Sequence, residues 1–148
     1  MQDPLPSTDI ENIVADIYDG YNDTQREILA IEIRKTRNKL FTIAAVLLVF
    51  NLLAVMISGV PLSYVIGDIL LFPVIFVGLG FLATKEPLVA IVLGFLIMIG
   101  FWLYIAFALD ISFLLKGWLG KAIIIYLLFA GLQNAREAHR IRQELKTI

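Results

Sequence analysis

The chain has 148 residues, 59% of them apolar and 17% charged, with a mean hydropathy of +0.85 and a formal net charge of −1. The apolar residues are gathered into blocks long enough to cross a bilayer, which excludes an ordinary soluble core and makes hydrocarbon the solvent. The absence of cysteine excludes disulfides, iron–sulfur clusters and thiolate zinc sites.

The first 23 residues carry six acids and no base, and "MQDPLPSTDI" has neither a basic start nor an apolar run, so no cleaved secretory signal is expected. Thr8 and Glu11 have capping-box spacing, and Ile10, Ile13, Val14 and Ile17 follow at helical intervals. This predicts an amphipathic helix over 8–19, stopped by Gly20. A second box, Thr24 with Glu27, predicts another helix that runs through "RKTRNK" straight into the first membrane span. Anionic leaflets disfavour an acidic amphipathic helix. Its expected partner is the basic surface of residues 34–39 and 136–146, in the same subunit or a neighbour.

Four spans are expected by length, at 40–60, 65–84, 88–109 and 117–135, each near the ~20 residues that cross ~30 Å of hydrocarbon. Breakers fall between them: Gly59 and Pro61, then "KEP" at 85–87, then "DIS" with Gly117. Residues 136–148 keep helical spacing and extend the fourth span. The organisation is therefore a helical region (1–39), a four-span domain (40–135) and a C-terminal helical extension (136–148). Lys and Arg gather at 34–39, at Lys85 and at 136–146, against Lys116 and Lys121 on the other side, which puts both termini in the cytoplasm of a cell (inner) membrane protein.

Polar residues inside the spans are the candidate functional residues. Helix arithmetic at 1.5 Å per residue places Asp68 and Lys121 at one level, roughly 22–25 Å above the cytoplasmic edge. An ionised side chain there costs at least ~3 kcal/mol unless paired, protonated or hydrated. Pro73 lacks the N–H that would bond the Ile69 carbonyl, leaving a bare acceptor beside Asp68. Carboxylate, lysine and carbonyl together would suit a cation or proton. The plainer reading makes Asp68 the N-cap of a helix starting near residue 69 and Lys121 a snorkelling residue, or the two a structural pair. Asn51 is expected to hydrogen-bond a neighbouring helix, Trp102 and Tyr104 to share its outer polar layer, and Tyr126 to find a hydroxyl partner on a facing helix. Small residues at Gly78 and Gly80, Ala90 and Gly94, and Gly131 and Ala135 mark close helix approaches.

No phosphate loop, HExxH motif or serine–histidine pairing is present, and His139 alone cannot build a metal site. No catalysis, cofactor, metal or nucleic-acid partner is expected. The fold is read as an all-α integral membrane four-helix bundle, with the bilayer and either further copies of itself or a membrane protein as partners. Two functions remain: a non-catalytic subunit or scaffold joined by helix contacts, or a small oligomeric proton- or cation-coupled transporter or channel using Asp68.

Overall fold

The computed structural model describes residues 7–59, 61–108 and 118–147. Its elements are four helices: α1 (Ser7–Ser58), α2 (Leu62–Leu82), α3 (Pro87–Ala108) and α4 (Trp118–Thr147). Among the described residues, three helices are long and apolar enough to span a membrane: α1, α3 and α4.

The N-terminal part differs from the two-helix expectation, because α1 is a single rod of 52 residues, roughly 78 Å long. Gly20 does not stop it. A helix-interior glycine costs only ~1 kcal/mol relative to alanine, and no proline interrupts the chain from 7 to 58 to add to that. Thr24 is not a cap either: its hydroxyl donates back to the Gly20 carbonyl at 2.9 Å, the i−4 bond of a threonine inside a helix. Thr36 and Thr42 bond Glu32 and Asn38 in the same way.

The rod ends where the sequence places a stop. Gly59 takes φ +68°, a conformation that glycine adopts without a Cβ penalty, and its N–H closes on the Val55 carbonyl at 3.1 Å. Pro61 then stands as N-cap of α2, with no side-chain cap. The second helix thus begins seven residues before the start that would make Asp68 a cap, and Asp68 lies within it. At the other end of α2, Thr84 and Lys85 turn the chain through bonds to Phe81 and Leu82, and Pro87 opens α3.

The longest helix is also the organiser of the bundle, packing along both α4 and α2, while α3 closes mainly on α4. Leu40, Ile43 and Leu47 of α1 and Ile124, Leu128 and Ala135 of α4 are buried, a three-and-four spacing that suits near-antiparallel helices. Glycines set the closest approaches. A Cβ on Gly80 would run into the Phe41 ring, and one on Gly131 would lie 2.7 Å from Ile91 Cδ1. Phe41 also meets Phe81 edge-on at 5.7 Å, and the Arg37 guanidinium stands 6.0 Å over its ring.

Aliphatic and aromatic side chains such as Val49, Leu71, Leu96 and Phe129 point outward from the bundle. In water such a surface would be untenable; in lipid it is the solvated face. Burial is also uneven along the axis. From residue 48 to the end of α1 no residue is fully buried, so α1 is only loosely covered toward Gly59.

Candidate functional site

A groove opens beside α1 and α2. One part, about 450 Å³, is lined by Asn51, Ala54, Val55, Ile69 and two phenylalanines, Phe72 and Phe101. An adjoining part of about 380 Å³ shares Asn51 and the two phenylalanines and adds Met98, Trp102 and Lys121. Phe72 and Phe101 meet with ring centroids 4.3 Å apart and planes tilted by 51°. The walls are overwhelmingly apolar, with Asn51, Trp102 and Lys121 as the polar exceptions.

Asn51 explains much of this geometry. Its Nδ2 donates to the Ile69 carbonyl at 3.1 Å. That carbonyl is the acceptor Pro73 deprives of its helical donor, so the bare oxygen expected from the sequence is already held by α1. The bond ties two helices at the kink-prone turn and satisfies a group that hydrocarbon would leave dry.

The sequence candidates are partly brought together. Asn51, Trp102 and Lys121 line the same groove, and the Asn51 bond puts Lys121 near the level of Ile69, next to Asp68 in the chain. The Asp68 side chain itself lies outside the described residues. Tyr104 and Tyr126 are elsewhere: they are 67% and 70% exposed on the outside of the bundle. The inward partner expected for the Tyr126 hydroxyl is therefore replaced by a surface position, because the α4 residues facing the core at that level are Ile124 and Leu128. Among the described residues, no three His, Asp or Glu side chains come together as a metal site.

A second polar contact, which sequence reasoning did not single out, lies at the opposite end. Arg142 of α4 donates Nη1 to the Lys85 carbonyl in the α2–α3 turn and stands 3.4 Å from Glu86 Oε1. A cation at the carbonyl end of α2 is favoured by the helix dipole as well as by the hydrogen bond. Only the packing of α4 beside the α2–α3 turn brings these residues together, across more than fifty positions, so no local spacing could reveal them.

The acidic segment of α1 does not fold back onto the basic surface of its own subunit. Val14, Ile17, Tyr18 and Tyr21 are 45–66% exposed, and the continuity of the rod is what holds them away. In comparisons with known proteins, the chain matches no family model, no curated protein and no solved structure.

Proposed function

We propose that this chain is a non-catalytic integral membrane subunit or scaffold with four spans, inserted with both termini in the cytoplasm. The observation that carries the reading is the Asn51 bond to Ile69, which commits an intramembrane polar side chain to joining α1 with α2. The Arg142 contact works likewise, holding α4 to the α2–α3 turn. The Ile69 carbonyl beside Asp68 has one of its two lone pairs engaged by Asn51 in this joint.

The fourth span is α2. Its 21 residues reach about 31 Å at 1.5 Å per residue, enough for the hydrocarbon, and its outward face carries Leu70, Leu71 and Val74. Arg34, Lys35, Lys85, Arg136, Arg140 and Lys146 then lie on one side, as the positive-inside rule requires of the cytoplasmic face.

The test is ion flux in proteoliposomes. A scaffold gives the same proton and cation leak as empty liposomes. A protein-dependent flux abolished by Asp68→Asn would overturn the proposal in favour of the transporter.

A further inference from the structure

Bases and acids do not balance at the α2–α3 end of the bundle. Residues 32–39 of α1, the α2–α3 turn and residues 133–146 of α4 hold four acids, and each is already ion-paired: Glu32 with Lys35, Glu86 with Arg142, and Glu137 and Glu144 with Arg140. Arg34, Arg37 and Lys85 have no such partner among the described residues. Arg37 is held by more than its own helix. Its guanidinium stands 6.0 Å from the centroid of the Phe41 ring, and Phe41 packs in turn on Gly80 and Phe81 of α2. No acceptor among the described residues meets its nitrogens; Nε is sealed inside, while Nη1 and Nη2 stay accessible.

The level of this side chain in the bilayer follows from the sequence. Charge ends at Lys39 and the uncharged stretch of α1 starts at Leu40, so Arg37 stands among the headgroups and the exposed Phe81 ring among the acyl chains. An arginine there could extend into water with every N–H hydrated. Arg37 instead lies back on an aromatic ring and leaves Nε unmet, which costs free energy that the cation–π contact offsets only in part. The contact also fixes the Nη1–Nη2 edge, a planar fork that matches two oxygens of a phosphate. Arg34 lies one turn before Arg37 on α1, and Lys85 one turn past Phe81 on α2, so both add positive charge to the same corner. Beneath it Phe81, Gly78 and Val74 share one exposed face of α2, with the spacing of successive helical turns.

A second copy does not supply the matching anion. Its acids at this level are paired, and those from Asp16 to Glu27 stand about 15 Å or more farther along the rod, where a copy inserted parallel in the same membrane keeps them. Phosphate is what every phospholipid bilayer presents at this level. A zwitterionic headgroup brings its own cation, whereas an anionic one answers three unpaired bases. We propose that Arg37, with Arg34 and Lys85, binds the phosphate of an anionic phospholipid at the α1–α2 corner, with an acyl chain of that lipid lying along Phe81 and Val74. This goes beyond the scaffold reading and requires only that α1 crosses a bilayer.

The test uses the full chain in uncharged detergent micelles, titrated with phosphatidylglycerol or phosphatidylcholine, and native mass spectrometry counts the lipid retained. The first phosphatidylglycerol should bind at least ~5-fold more tightly than phosphatidylcholine. Arg37→Gln should remove that preference, and Arg37→Lys, which keeps the charge but loses the fork, should lose at least ~2-fold of it. The double substitution Arg34→Gln with Lys85→Gln, at exposed positions that leave the fold intact, should weaken phosphatidylglycerol by ~5-fold or more. Arg140→Gln removes a charge already paired with two glutamates and should change it by less than ~2-fold. Equal retention of the two lipids, a preference that survives both Arg37→Gln and the double substitution, or an equal loss with Arg140→Gln would overturn the proposal. Two competitors separate the sources of the anion. Displacement of the lipid by ~10 mM inorganic phosphate would make the site one for the free ion, and displacement by a Glu-rich synthetic helix would make it a protein dock; either result defeats the lipid assignment.

Discussion

Replacing Asn51 with Leu removes the donor that α1 sends to the Ile69 carbonyl. Because residue 73 is proline, the helix cannot supply a substitute N–H, and the oxygen is left facing apolar walls. The cost should be about 1–2 kcal/mol, toward the upper end for hydrogen bonds between membrane helices, since the freed group has no intrahelical alternative. Replacing Pro73 with Ala restores the i−4 donor. In that background Asn51→Leu should cost less than about 0.5 kcal/mol, because the carbonyl no longer depends on it. The two substitutions are therefore coupled by about 1 kcal/mol. The four proteins of this cycle, unfolded reversibly in mixed micelles, measure the coupling directly, and any overall effect of straightening α2 cancels between its two sides. Additivity within ~0.3 kcal/mol would show that the Asn51 bond does not compensate for the proline.

Three further outcomes follow from the packing. Gly80→Val should destabilise the bundle by about 1–3 kcal/mol through its clash with Phe41, and Phe41→Leu should recover part of the loss; equal stability of Gly80→Val and wild type would refute the close approach. Gly78→Ala, at a position with open space, should be neutral or slightly stabilising in the same titration. Arg142→Gln should cost no more than about 1 kcal/mol, because Glu86 is largely exposed, yet it should raise hydrogen exchange in residues 83–87 if the clasp holds that turn.

Much of this architecture is legible along the chain, for reasons the residues make plain. Gly59 and Pro61 end one helix and start the next because a left-handed turn needs glycine and a proline suits a helix start, and Pro87 opens α3 for the same reason. Gly20 misleads because a lone glycine costs only ~1 kcal/mol relative to alanine and no proline between 7 and 58 adds to it. Pro73 announces an orphaned carbonyl, but its partner depends on how α1 and α2 are rotated against each other, and apolar spans carry no polar face from which that rotation could be read. The outward position of Tyr126 is hidden in the sequence for the same reason. The Arg142 contact joins residues distant in sequence, and only the folded bundle brings them together.

Cysteine accessibility tests the four-span arrangement most directly, since the native chain contains no cysteine. Single substitutions at Asp19, Ser58, Thr84, Trp118 and Lys146, all exposed positions, are treated in intact cells with a membrane-impermeant maleimide. Ser58→Cys and Trp118→Cys should be labelled from outside, and the other three only after the membrane is opened. Labelling of Ser58→Cys and Thr84→Cys from the same side would mean that α2 does not cross, and would contradict the account.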